Sequence, residues 1–316
     1  MTTTLNLADK FQNTLESVIG QIKNSEQYAK LMALPPLKRW LTLAGWFLLS
    51  QVLVFGLLYL LFGKIVVVGF LASVLAGLAT GAGALPALYF VDISKNLFNS
   101  MLGAAAGVML AATAFSLLVP GITFGNNIWP DYGIYIVSAG MIVGALFLHF
   151  ADKQLPHVHF DSVSDVHLNS LKKVWLFIIA ITIHNFPEGM SVGVSFGSGE
   201  MKNGLVLAIA IALQNIPEGL AVALPLVGLG YNKWKAVGIA TLTGLVEPIG
   251  GLLGVTMVTV FEPILPIAMG FAAGAMLFVI SEEIIPETHA GGRSRHATFA
   301  LMIGFIIMMA LDNMLG

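Results

Sequence analysis

His184-Asn185-Phe186-Pro187-Glu188-Gly189-Met190-Ser191-Val192-Gly193 returns thirty residues later as Gln214-Asn215-Ile216-Pro217-Glu218-Gly219-Leu220-Ala221-Val222-Ala223. Each copy sits inside an apolar run, 174–196 and 203–226, long enough to cross about 30 Å of hydrocarbon. On a helix, His184 and Glu188 are one turn apart and share a face, as do Gln214 and Glu218. Asn185 and Asn215 stand three residues before the glutamates, so each carboxylate can also serve a second group one step round the helix. Pro187 cannot donate to the carbonyl of Ile183, nor Pro217 to that of Leu213. The sequence therefore predicts two Pro-broken helices, each with a freed carbonyl beside a carboxylate. Gly189 and Gly219 leave room for a neighbouring backbone. A third carboxylate, Glu247, lies mid-span on the next run, in Glu247-Pro248-Ile249-Gly250. An ionised carboxylate at that depth costs about 2.5–3.5 kcal/mol, so all three must face one another, water or a cation.

The rest of the chain agrees that lipid is the solvent. Of 316 residues, 57% are hydrophobic and only 10% charged, with a mean hydropathy of +0.87. A soluble domain carries about 25% charged residues. Nine runs are long enough to span a bilayer: 41–62, 65–90, 98–119, 131–150, 174–196, 203–226, 235–259, 263–286 and 297–315. With a cytoplasmic N-terminus, the cytoplasmic segments hold Lys10, Lys23, Lys30, Lys38, Arg39, Lys95, Lys153, Lys172, Lys173, Lys233, Lys235, Arg293 and Arg295. That is 13 of 15 basic residues, leaving Lys64 and Lys202 outside. Such a bias supports nine crossings that start inside and end outside. The expected fold is all-α, a polytopic helix bundle whose exterior partner is the lipid bilayer.

Consecutive membrane helices run in opposite directions, so the two copies form an inverted pair. A weaker pair links Gly103-Ala104-Ala105-Ala106-Gly107-Val108-Met109-Leu110 on the third run with Gly270-Phe271-Ala272-Ala273-Gly274-Ala275-Met276-Leu277 on the eighth. Both pairs fit a transporter built from inverted repeats, with its site near the midplane. The second pair also reads as small-residue helix packing.

The formal net charge of −2 argues against a nucleic-acid partner. With no cysteine, thiolate zinc sites and thiol catalysis are excluded, and a metal would need His, Asp, Glu, Met or amide ligands. Facing each other, the duplicated helices offer one imidazole, two carboxylates and an amide oxygen. An adjacent position offers Asn185, Asn215, Glu247 and the shared glutamates. Mixed nitrogen and oxygen donors of this kind suit Zn²⁺, Fe²⁺, Mn²⁺ and Cd²⁺. Three domains follow: a cytoplasmic segment, 1–40; an additional helix, 41–62; and an eight-helix body, 63–316, with a cytoplasmic loop at 151–173. In the first, Leu7, Phe11, Leu15, Val18 and Ile22 recur at helical spacing, as a surface amphipathic helix or a frayed leader. The loop holds His157, His159 and His167, with His149 just before it. These are weak metal ligands or parts of a solvated polar loop.

At these residues the sequence resembles the ZIP family of metal transporters, in its bacterial, GufA-like branch, from about residue 65 onward. His-Asn-x-Pro-Glu-Gly carries the resemblance, and the helix at 41–62 matches an N-terminal span that some members carry. The resemblance implies a main site of His184, Glu188, Gln214 and Glu218. It implies a second of Asn185, Glu188, Asn215, Glu218 and Glu247. The second copy commonly begins with His where this chain has Gln214. Some relatives have aspartate in place of Asn215, which makes the second site here one charge poorer. Met109, Ser116 and Asp312 match positions on the family's metal path. Glu282, Glu283, Glu287 and His289 match its exit, although one family pattern has His in place of Glu282. Also implied are Zn²⁺ as the carried ion (with Cd²⁺, Fe²⁺ or Mn²⁺ as alternatives), a bacterial inner membrane and a homodimer. The implied motion is an elevator in which the second, fifth, sixth and seventh helices move against the third, fourth, eighth and ninth.

Three other functions fit the sequence less well. An intramembrane metal-dependent hydrolase would need a free base, and His-Glu-x-x-His is absent. A carrier of Na⁺ or organic solutes needs no imidazole, and no Lys or Arg lies mid-membrane to hold an anion. A metal-selective channel differs from a carrier only in its motion, and the repeats favour alternating access.

Overall fold

The computed structural model describes residues 21, 24–90, 93–153, 168–289 and 295–315. Those residues are helical apart from turns and short links, with no strand among them. The chain divides into two units, Met1–Leu60 and Leu61–Gly316. In the first unit a short helix, Glu26–Met32, is capped by Ser25, whose hydroxyl accepts from the backbone N–H of Tyr28 at 3.2 Å. Pro36 then opens helix α1 (Pro36–Phe62), where a missing N–H costs nothing. The amphipathic segment expected from Leu7 to Ile22 falls, apart from residue 21, outside the described residues.

The second unit contains α2 (Lys64–Leu88), α3 (Lys95–Ile128), α4 (Gly133–Lys153), α5 (Leu168–Gly197), α6 (Met201–Gly228), α7 (Lys233–Val260), α8 (Glu262–His289) and α9 (Arg295–Leu315). With α1, nine helices among the described residues are long and apolar enough to cross a membrane, as the hydropathy predicts. Helices α4 and α5 shorten the expected loop from both ends, and His157, His159 and His167 lie outside the described residues. Short links turn on glycines at positive φ, Gly199 (85°) between α5 and α6 and Gly230 (84°) between α6 and α7. A side chain at either position would be strained.

The expected breaks fall elsewhere. Helices α5 and α6 run unbroken through Pro187 and Pro217. Inside a bundle, neighbouring groups and small local adjustments can accommodate a carbonyl freed by proline, so a missing N–H need not end the helix. The true interruption is on α7, which stops at Gly244 and restarts at Glu247, with Pro248 second in the new segment. Helices α3 and α8 each contain a π turn, Ala112–Leu118 and Ile280–Ile284. Such insertions recur at functional sites. After the first, α3 runs on to Ile128, beyond the expected end at 119.

Packing separates the helices of the second unit into two groups. Helices α2, α5, α6 and α7 pack on one another, while α3 packs on α9 and α4 on α8, with the α3 π turn against α8. Glycines set the closest approaches within each group. A Cβ on Gly189 or Gly193 would strike the α7 backbone, and one on Gly219 the carbonyl of Thr80 on α2. In the other group Gly107 meets α9 and Gly144 meets α8 in the same way. Where the groups meet, α5 against α8 and α3 against α6, no glycine makes such an approach.

Candidate metal centre

Gly189 and Gly219 dock the two copies of the motif on the neighbouring helices α7 and α2. Each glycine follows its glutamate, so docking Gly189 on Glu247 of α7 and Gly219 on Thr80 of α2 holds Glu188 and Glu218 inside the same group. Ser191 reinforces the turn, its hydroxyl donating to the carbonyl of Glu188 at 2.6 Å. All seven sequence-predicted ligands, His184, Asn185, Glu188, Gln214, Asn215, Glu218 and Glu247, are buried, none more than 7% exposed. Glu247 opens the second segment of α7, where the helix dipole favours a negative charge.

A cavity of about 40 Å³ reaches this cluster, lined by His184, Glu188, Glu218, Glu283 and Glu287 with Leu102, Phe177, Ile181, Ala221, Val279 and Ile284. One water needs about 10–15 Å³, so there is room for an ion with a water or two. Four carboxylates and one imidazole line it, with no Lys or Arg among its lining residues, a balance that attracts cations. It lies where the two helix groups meet: α5 and α6 supply His184, Glu188 and Glu218, and α8 supplies Glu283 and Glu287. His184 Nε2 stands 3.2 Å from Glu283 Oε1, joining α5 to the π turn of α8. Gln214, Asn185, Asn215 and Glu247 lie off the cavity. Asn215 Nδ2 donates to Glu247 Oε1 at 2.6 Å and to the carbonyl of Ala76 at 2.8 Å.

Among the described residues, no three His, Asp or Glu side chains converge on a common ligating point. The donors do not form a closed coordination shell. Many are nonetheless unsatisfied: both amide atoms of Asn185 and of Gln214, Glu188 Oε2, Asn215 Oδ1, Glu218 Oε1 and Glu247 Oε2 have no hydrogen-bond partner in the protein. Buried polar atoms are rarely left so, and their concentration here points to a polar or cationic ligand.

The other sequence-predicted residues fall at several places. Met109 is fully buried just before the α3 π turn. Ser116, inside that turn, donates to Asp312 Oδ1 on α9 at 2.6 Å. Glu282 is exposed, in contrast to Glu283 and Glu287. His289 is exposed, its ring bonded to Thr288, to the carbonyl of Ile285 and to Thr298. His149, at the end of α4, lies against the rings of Phe150 and Phe278. Sequence reasoning missed the pairing of His184 with Glu283 and the bond from Asn215 to Glu247. Nothing in the spacing of these residues signals either contact.

The family model described as ZIP Zinc transporter matches residues 161–312. The chain is 42% identical over 251 residues to "Zinc transporter GufA" of Myxococcus xanthus, covering 78% of this chain and 99% of that protein. It is 45% identical over 241 residues to "Zinc transporter ZIPB" of Bordetella bronchiseptica, covering 75% of this chain and 78% of the relative. With human "Zinc transporter ZIP11" it shares 34% identity over 321 residues, 75% of this chain and 94% of the relative.

Proposed function

This chain belongs to the ZIP zinc transporter family, and from that premise we propose that it carries Zn²⁺ through the membrane by way of the buried cluster on α5, α6 and α7. It is a transporter and not an enzyme. The observation that carries the site is the gathering of unsatisfied buried donors on the duplicated motif beside a cavity lined by carboxylates. The ion's main position is formed by His184, Glu188, Gln214 and Glu218. A neighbouring position is formed by Asn185, Asn215 and Glu247 with the same two glutamates. One imidazole among carboxylates suits Zn²⁺, and the same donors also suit Cd²⁺, Fe²⁺ and Mn²⁺.

The motion is an elevator. Helices α2, α5, α6 and α7 travel together as the carrier, and α3, α4, α8 and α9 form the scaffold. Supporting this, glycine-to-backbone approaches lie within the two groups, while the boundary between them holds the cavity. A boundary without interlocked backbones can slide. Met109, Ser116 and Asp312 stand on the entry side, and Glu283 and Glu287 receive the ion on the exit side, with Glu282 and His289 beyond them. The transporter works as a homodimer in a bacterial inner membrane, with its N-terminus in the cytoplasm. Transport is by the body at 63–316, with 1–40 and the helix at 41–62 as additions.

Uptake of Zn²⁺ into proteoliposomes tests the proposal. Glu188→Ala and Glu218→Ala each abolish uptake while the protein still elutes as a folded species. Near-native uptake by either variant removes the site.

A further inference from the structure

We propose that Asn215 restricts this site to one divalent ion at a time, its side-chain amide occupying at Glu247 the place that a second ion's charge would take. The inference rests on the reading of His184, Glu188, Gln214 and Glu218 as the main position.

Asn215 and Glu247 are fully buried, on α6 and α7. Both protons of the Asn215 amide are spent, one on Glu247 Oε1 at 2.6 Å and one on the Ala76 carbonyl of α2 at 2.8 Å. The orientation of the amide is forced. Turned over, it would set Oδ1 against a carboxylate oxygen and a carbonyl oxygen, neither of which can donate. An aspartate at 215 could make neither bond. It would instead set a second carboxylate against Glu247, an arrangement that needs a cation between the two.

Local charge points the same way. The neighbouring position has one carboxylate of its own, Glu247. An aspartate at 215 would bring a second, easing the desolvation of another divalent ion there. In this chain one ion is compensated by Glu188 and Glu218, and Glu247 is held by the Asn215 amide.

Access follows the same order. Three of the four main-position residues, His184, Glu188 and Glu218, line the cavity, whereas Gln214, Asn185, Asn215 and Glu247 do not. An ion in this cavity touches the main position, whereas the neighbouring position has one carboxylate of its own, already hydrogen-bonded.

Metal stoichiometry decides it. The full-length protein, purified in detergent, is dialysed against increasing Zn²⁺, and bound zinc per chain is measured by inductively coupled plasma mass spectrometry. Zinc at the site is the amount lost in the Glu188→Ala/Glu218→Ala double variant, which subtracts binding elsewhere on the chain. The native protein saturates at one such ion, Asn215→Asp at two, and Asn215→Asp/Glu247→Gln at one again. Two site-dependent ions in the native protein would overturn the inference and leave the main position standing. So would a folded Asn215→Asp variant, checked by circular dichroism, that stays at one. Zinc binding wholly unchanged in the double variant would instead remove the site itself, and this inference with it.

Discussion

Gly189→Ala puts the packing that builds the site to a direct test. A Cβ there would overlap the carbonyl oxygen of Glu247 and crowd its carbonyl carbon and Cα. These are backbone atoms, so no rotamer change relieves the overlap and α5 must part from α7. Overpacking of this kind costs about 1–3 kcal/mol, and a backbone collision belongs near the upper end. Replacing glycine by alanine inside a helix returns about 1 kcal/mol of propensity. The net loss is about 2 kcal/mol, or a fall of about 4–8 °C in midpoint at about 2–4 °C per kcal/mol for a body of this size. Gly238 on α7 is the internal control, because nothing lies within 4 Å of a Cβ built there. Gly238→Ala keeps the propensity gain alone and raises the midpoint by about 2–4 °C. Thermal unfolding followed by tryptophan fluorescence in detergent reads both variants, and proteoliposome uptake reads their function. Gly189→Ala also loses most Zn²⁺ uptake, since parting α5 from α7 displaces Glu188 from the main position. Equal midpoints for the two variants, or full uptake by Gly189→Ala, would refute the claim that this glycine sets the spacing of the site.

Acidifying the outer medium lowers initial Zn²⁺ uptake, because protons compete with the ion for the lone pairs of its ligands. A flat profile would count against imidazole ligation. Gln214→His shifts competition between Zn²⁺ and Mn²⁺ toward Zn²⁺, as a second imidazole favours the later metal. Unchanged selectivity would take position 214 out of the ligand set. In right-side-out cells, a tag on the N-terminus is protected from protease and one on the C-terminus is cut. Both tags on one side would contradict nine crossings.

Much of this architecture was legible in the sequence because hydrocarbon enforces it. A run such as 203–226 has no alternative to a spanning helix, so the helices fall near the hydropathy limits. The burial of the candidate site was legible because three mid-span glutamates without basic partners have so few physical solutions. The helix irregularities were not. Pro187 and Pro217 announce breaks that the bundle absorbs, while the interruption after Gly244 is marked only by Gly244 and Pro248. A π turn adds a residue without changing composition, so Ala112–Leu118 and Ile280–Ile284 leave no mark on the apolar pattern. The contact of His184 with Glu283 crosses from one helix group to the other, and only the packing of α5 on α8 determines it.

Anomalous diffraction at the zinc edge from Zn²⁺-soaked crystals of the full-length protein tests the central claim most directly. The account expects the strongest peak among His184, Glu188, Gln214 and Glu218, with a ring nitrogen of His184 and carboxylate oxygens of Glu188 and Glu218 at about 2.0–2.2 Å. A strongest peak elsewhere, with none among these four side chains, would contradict it.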